Sequence, residues 1–111
     1  MDPKRIQRIR RIRARLSGTA ERPRICIERT AKHFRVQFID DQSGKTVLAG
    51  GDHELKSKLT GIQQAHAVGK AIAGKAKQAG LKQAVLDRRG YRYHGRIAAF
   101  AKTVRESGLT I

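Results

Sequence analysis

His33-Phe34-Arg35-Val36-Gln37-Phe38-Ile39 alternates polar with apolar residues, and that period of two decides the fold. Phe34, Val36 and Phe38 turn toward a core while His33, Arg35 and Gln37 turn outward, as on a pleated strand with one wet face. A single wet face suits an antiparallel sheet left open on that side. Upstream, Arg22-Pro23-Arg24-Ile25-Cys26-Ile27-Glu28-Arg29 reads as a preceding strand, with Pro23 tolerated at its start. Thr30-Ala31-Lys32 is the tight connection between them. Downstream, Asp40-Asp41-Gln42-Ser43-Gly44 is turn chemistry, and Lys45-Thr46-Val47-Leu48-Ala49 supplies a third strand. These segments make a meander.

The period then changes. Thr60 with Gln63 has capping-box spacing. Ile62, Ala65, Gly69, Ile72, Ala76 and Ala79 follow as one helical stripe, flanked by Val68 and Ala73. Gly80 is the expected stop just past the helix. Small residues on the stripe let the helix lie close to the sheet, which offsets a chain with no Trp, two Tyr and three Phe. Gln83-Ala84-Val85-Leu86-Asp87 reads as a short fourth strand. A glycine-punctuated loop leads to a second helix from about Arg96 to Ser107, with Ile97, Ala101 and Val104 inward and Gly108 closing it. A helical crossover between strands implies parallel pairing and a right-handed connection. The expected fold is α/β (α+β): a mixed four-stranded sheet, made of the antiparallel meander plus one parallel strand. Both helices cover one face, and the other is free and basic.

Residues 1–20 read as a basic arm on a globular domain of residues 21–111. Ile6, Ile9, Ile12 and Leu16 recur at helical spacing, surrounded by Arg5, Arg8, Arg10, Arg11, Arg13 and Arg15. Counted through Arg24, this end holds nine basic residues and two acids. Like charges one turn apart destabilise an isolated helix, so the arm is expected to be frayed when free and helical once phosphates neutralise it. The alternative is a basic surface helix packed on its own domain by the isoleucine stripe. Over all 111 residues, Lys and Arg number 25 against 9 Asp and Glu, a formal charge of +16. Such a chain repels itself unless a polyanion neutralises it. Nucleic acid is the favoured partner over an anionic membrane or an acidic protein. No stretch approaches the roughly 18 apolar residues of a membrane span, and the N-terminus lacks the apolar middle of a secretory signal. It is Arg-rich and acid-poor, as mitochondrial transit peptides are, but nearly Ser-free. The single Cys26 excludes an internal disulfide framework, fits a reducing cytosol and reads as a buried, inert thiol.

Arg88-Arg89-Gly90-Tyr91-Arg92-Tyr93-His94-Gly95-Arg96 is the densest functional segment. Its arginines offer forked donors to phosphate or guanine edges, and Tyr91 and Tyr93 can stack on unpaired bases. Gly95 lies where a helix begins, and N–H groups there attract phosphate. A plainer account of the same residues has one tyrosine packed at the core edge and the glycines shaping a turn. Catalysis has little support. His33, His53, His66 and His94 are scattered without metal-ligand spacing, and neither a phosphate-binding G-x-x-x-x-G-K-[ST] loop nor a G-x-S-x-G elbow occurs. The strongest enzymatic alternative uses Asp40, Asp41 and Asp87 to hold Mg²⁺ for RNA cleavage. Against it, Asp40 and Asp41 sit where hairpin turns want Asp. No catalytic residue, metal, cofactor or small-molecule substrate is expected.

Several segments resemble the bacterial large-subunit ribosomal protein family L eighteen. They are Arg22-Pro23-Arg24, His33, Ile39-Asp40-Asp41 with Gly44, Ala67-Val68-Gly69, Asp87-Arg88 and Arg105-Glu106-Ser107-Gly108-Leu109. Above all, Gly90-Tyr91-x-Tyr93-His94-Gly95-Arg96 carries the likeness, which runs from about Arg5 to Ile111. The resemblance implies a cytoplasmic ribosomal protein, not an enzyme. It implies binding to 5S rRNA and its attachment to 23S rRNA in the central protuberance, beside the ribosomal protein of the L five type. In that family the arm, the open sheet face and the loop before the last helix touch RNA. Carried over, this points to Arg5, Arg8, Arg10, Arg11, Arg13 and Arg15 in the arm. It points also to Arg22, Arg24, Arg29, Lys32, His33, Arg35 and Gln37 on the sheet, and to Arg88, Arg89, Tyr91, Arg92, Tyr93, His94 and Arg96 in the loop. Arg89 departs from a position where the family often has glycine, and it adds charge. Cys26 and Glu28 depart too, and Glu28 marks a strand position that no phosphate approaches.

Overall fold

Alternation of apolar and polar residues produces the first three strands. In the computed structural model, which describes residues 3, 4, 6, 7, 17–56, 58–87 and 95–111, β1 is Arg24–Arg29, β2 is Phe34–Asp40 and β3 is Lys45–Gly51. β1 and β2 pair antiparallel, with Ile25 opposite Phe38 and Ile27 opposite Val36. β3 pairs antiparallel with β2, its register shifting between Phe38 and Ile39. β4, Val85–Asp87, lies parallel to β1 with Leu86 beside Ile25. The sheet order is β3-β2-β1-β4, the mixed sheet expected from the sequence.

The strand ends differ from expectation for local reasons. Arg22 stays outside β1 because it closes a turn. Its N–H donates to Thr19 Oγ1 at 3.0 Å, and its carbonyl accepts from Thr19 N at 3.0 Å. Pro23 gives its carbonyl to Val85 N at 2.9 Å. β3 continues to Gly51 and runs into a 3-10 turn, Asp52–Glu54, that the sequence left unassigned. Beyond the short β4, Gln83 bridges in parallel to Thr110, which draws the C-terminal tail alongside.

Two helices cover one face: α1, Gly61–Gln78, and α2, Arg96–Glu106. Ala65, Val68, Gly69, Ile72, Ala73 and Ala76 of α1 are buried, as are Ile97, Phe100, Ala101 and Val104 of α2. All three Phe of the chain, Phe34, Phe38 and Phe100, lie wholly in the core with Ile25, Ile27 and Val36. Each such side chain contributes on the order of 1.5–3 kcal/mol by burial. Phe34 and Phe100 join sheet to helix, their ring centroids 5.4 Å apart and tilted by 45°. Gly80 stops α1 at φ 80°, a conformation only glycine adopts without strain, and Leu81 N closes back on Ala76 O at 2.9 Å.

Four expectations about α1 are corrected. Thr60 is the N-cap, but its side chain makes no capping bond, so no capping box forms with Gln63. The carbonyl of Thr60 instead accepts from Gln64 N at 3.3 Å, and Gln64, not Gln63, is the amide drawn into the interior. Ile62 keeps the phase of the stripe but lies in the first turn, in a groove with Ala99 and Lys102 of α2, and is 60% exposed. Ala79 is exposed as the C-cap. Gly69, expected against the sheet, faces α2 instead: a Cβ there would sit 3.2 Å from Phe100 O and from Thr103 Cβ. The close approach of α1 to the sheet occurs at Gly50 of β3, where a Cβ would meet Ile72 Cδ1 at 3.0 Å.

Candidate nucleic-acid interface

The segment joining the arm to the body is tied down by a short polar knot. Gly18 N donates to Asp41 Oδ2 at 2.7 Å, and Asp41 N donates to Gly18 O at 3.0 Å. Arg24 completes the knot. Its Nε and Nη2 each donate to the Asp41 carboxylate at 3.0 Å, and its Nη1 reaches Asp87 Oδ2 at 2.6 Å. Asp41, opposed by desolvation and helped by Asp87, holds the guanidinium above its ordinary pKa. Arg24, one of the residues singled out for RNA, is thus occupied by the fold itself. Its two carboxylates are candidates from the Mg²⁺ alternative. The third, Asp40, accepts from Gln42 N at 3.0 Å and Ser43 Oγ at 2.9 Å within its own turn. Among the described residues no cluster of three such ligands gathers to hold a metal.

Asp87, wholly buried, ends β4 immediately before the aromatic and basic residues 88–94. Gly95 receives the chain on the other side as N-cap of α2, at φ 55° and ψ −120°. A residue with a side chain is strained at such a φ. Its carbonyl accepts from Ala99 N at 3.0 Å, and Arg96, half-buried, opens the helix. Arg88, Arg89, Tyr91, Arg92, Tyr93 and His94 lie outside the described residues, as do Arg5, Arg8, Arg10, Arg11, Arg13 and Arg15 of the arm. Pro3, Lys4, Ile6 and Gln7 are helical.

The other sheet residues divide between two places. Arg35 and Gln37 are exposed on the face away from the helices, together with Glu28. Glu28 stands directly opposite Arg35, so the free face is of mixed charge and less basic than expected. Cys26 shares that face yet is only 4% exposed, as its apolar neighbours suggested. Arg29 falls on the helix-side parity of β1 with Ile25 and Ile27, half-buried, and so leaves the free face. Arg22 is exposed in the turn before β1.

Lys32 and His33 form the tip of the β1–β2 hairpin, where His33 N donates to Thr30 Oγ1 at 3.1 Å. His33 Nδ1 lies 2.8 Å from Asp52 Oδ2, and Phe34 N donates to Asp52 Oδ1 at 3.0 Å. Desolvation works against the Asp52 carboxylate, but His33 and the Phe34 N–H outweigh it and hold its pKa below the usual carboxylate range. A second brace comes from Gln64, 1% exposed, whose Nε2 donates to Lys32 O at 2.7 Å and Leu59 O at 3.1 Å. Its Oε1 is buried with no hydrogen-bond partner among the described residues, a cost of about 1–3 kcal/mol that the two donated bonds offset. Lys56 and Lys58, which the sequence reading passed over, stand with Lys32 around the resulting cleft. The signal available was two lysines in a polar stretch between β3 and α1. Their nearness to Lys32 is a tertiary fact.

The chain matches the family model described as "Ribosomal L18 of archaea, bacteria, mitoch. and chloroplast" over residues 2–111. It is 48% identical over 102 residues to the large ribosomal subunit protein uL18 of Solibacter usitatus, covering 90% of this chain and 86% of that one. The protein of the same name from Caldicellulosiruptor saccharolyticus is 45% identical over 111 residues, 96% of this chain and 90% of its own. That from Staphylococcus aureus is 46% identical over 107 residues, 95% and 90% of the two chains. With a family match over residues 2–111 and relatives 45–48% identical over most of both chains, the chain belongs to the ribosomal L eighteen family and is a structural constituent of the large ribosomal subunit, not an enzyme.

Proposed function

We propose that this protein grips 5S rRNA and helps attach it to 23S rRNA in the central protuberance, beside the ribosomal protein of the L five type. The observation that carries the proposal is the sequence Gly90-Tyr91-Arg92-Tyr93-His94-Gly95-Arg96, which follows buried Asp87 and ends at the start of α2. Aromatic rings interleaved with arginines suit unpaired, splayed bases. The charge of +16 supplies phosphate affinity without sequence information. In this proposal Arg5, Arg8, Arg10, Arg11, Arg13 and Arg15 neutralise backbone. Arg22, Lys32, His33, Arg35 and Gln37 add contacts along the sheet, while Arg29 and Arg96 contribute from its margins. Arg24 acts by setting where arm and loop leave the body. The work is done in the cytoplasm, where Cys26 stays reduced.

A filter-binding titration against 5S rRNA and a tRNA of similar charge, at low and moderate salt, tests the proposal. Retention of tight 5S rRNA binding at moderate salt, with loss of tRNA, is the expected result. A parallel collapse of both by roughly a thousandfold would leave only phosphate attraction and remove the 5S assignment.

A further inference from the structure

We infer that the cleft between the β1–β2 hairpin tip and the segment linking β3 to α1 is an additional RNA-backbone site. Lys32, Lys56 and Lys58 take its phosphates, separately from the arm and from the loop before α2. The inference rests on the proposed rRNA binding and extends it from Lys32 to Lys56 and Lys58, which lie outside the expected interface.

The cleft measures about 570 Å³, enough for a phosphodiester unit with its sugar, and it is bordered by Lys32, His33, Asp52, Lys56, Lys58 and Thr60. Leu55 and Leu59 supply apolar wall. Its charge is unbalanced by design of the contacts around it. Asp52 is its one carboxylate, and both oxygens of Asp52 are turned to His33 Nδ1 and Phe34 N. Elsewhere among the described residues lysines do find carboxylates, Lys75 with Glu54 and Lys102 with Glu106. Lys32, Lys56 and Lys58 join no ion pair with a described residue. Three uncompensated ammonium groups around one concavity attract an anion.

The frame is also braced. Gln64 ties the carbonyl of Lys32 to that of Leu59, and Asp52 ties the 3-10 turn to His33 and Phe34. The two walls are therefore held to each other at both ends, so a phosphate entering the cleft meets lysines whose backbone is already positioned. Among the described residues no Tyr, Phe, Trp or Arg borders it, and its one ring, His33, is engaged at Nδ1 by Asp52, so lysine ammonium groups dominate it and it holds no forked donor for a base edge. The ligand class that remains is phosphate backbone. Lys32 and His33 run directly into β2, whose Arg35 and Gln37 are exposed on the free face, so a backbone lying along β2 arrives at the cleft.

The test uses the full chain with Lys56→Ala and Lys58→Ala combined, titrated against 5S rRNA at several salt concentrations. Lys70→Ala with Lys102→Ala is the control on the helical side. Lys56 and Lys58 are exposed, so the double variant keeps the thermal midpoint of the parent. Two lost phosphate contacts reduce the slope of log K against log salt by about 1.4–1.8, with at least a tenfold loss of affinity at moderate salt, while the control pair leaves both unchanged. In a parallel measurement with an amine-reactive label, RNA protects Lys32, Lys56 and Lys58 and leaves Lys102 reactive. An unchanged slope together with undiminished labelling of Lys56 and Lys58 in the complex overturns the inference. If the slope falls but 5S rRNA and tRNA bind alike, the cleft stands and the 5S assignment fails. If 5S rRNA is preferred and the slope is unchanged, the reverse holds.

Discussion

Asp87 has no exposed surface, and its Oδ2 accepts a hydrogen bond from Arg24 Nη1 at 2.6 Å. Because Arg24 also holds Asp41, which in turn holds Gly18, one guanidinium joins the chain just before β1 to the end of β4. Gly18 and Asp87 are thereby tied to one side chain, although 63 residues separate Arg24 from Asp87.

Removing that guanidinium is costly. Arg24→Ala takes one cationic partner from a buried carboxylate, and breaking such a pair destabilises by about 3–5 kcal/mol. A urea titration checks this: the midpoint falls with the m-value unchanged. Arg24→Lys recovers only part of the loss, since a single ammonium cannot serve both carboxylates with the geometry of the fork.

Gly18 sits under a tighter constraint than any other described glycine. A Cβ there would lie 2.4 Å from Arg24 N and from Ile39 O. Both are backbone atoms of the sheet, so relief requires the arm's attachment to move. Gly18→Ala is expected to cost about 1–3 kcal/mol and to break the pair of hydrogen bonds with Asp41. Faster hydrogen exchange at the Asp41 amide, alongside a lowered thermal midpoint, is the expected readout. Unchanged exchange at Asp41 would mean the knot does not hold the arm.

What could be read in advance follows a physical division. The strands were legible because Phe34, Val36 and Phe38 alternate with polar residues, a pattern whose period survives any tertiary detail. The stop at Gly80 and the inward Ile97, Ala101 and Val104 were equally local, and Phe100 completes the same spacing. Ile62 misled because phase says which side of a helix a residue occupies, not whether a neighbour covers that end. The place of Arg24 in the knot was not legible, because nothing in its neighbours announces that Asp41 and Asp87 converge on it. Lys56 and Lys58 were passed over for the same reason: only the return of the chain from β3 into α1 sets them beside Lys32. Basic charge was visible as a quantity, but its distribution over the surface belongs to the fold.

Gln64 offers a nearly isosteric test of the brace beneath that cleft. In Gln64→Glu the donor to Lys32 O and Leu59 O is replaced by an acceptor facing two carbonyls. A buried carboxylate so placed is expected to cost more than about 3 kcal/mol at neutral pH. Its folded pKa would be raised above the unfolded value, so the penalty shrinks as pH falls and the carboxyl takes up a proton. Denaturant midpoints of variant and parent should therefore converge between about pH 7 and pH 4.5. A penalty constant across that range would show that Gln64 fills space and does not act as a donor.

Asp52 predicts the opposite sign. Desolvation favours its protonated form, but His33 and the Phe34 N–H prevail, and its folded pKa lies below the unfolded value. A depressed carboxylate contributes stability above its unfolded pKa of about 3.9 and loses it as pH falls through the folded pKa. Asp52→Asn cannot titrate and keeps one acceptor for Phe34 N. The parent should therefore exceed the variant in stability at about pH 6, and the difference should narrow steadily below about pH 4. Denaturation curves of both proteins across this interval measure the contribution directly. A difference that stays constant below pH 4 would mean the latch between His33 and Asp52 adds nothing through charge, and that the turn after β3 is held by its backbone alone.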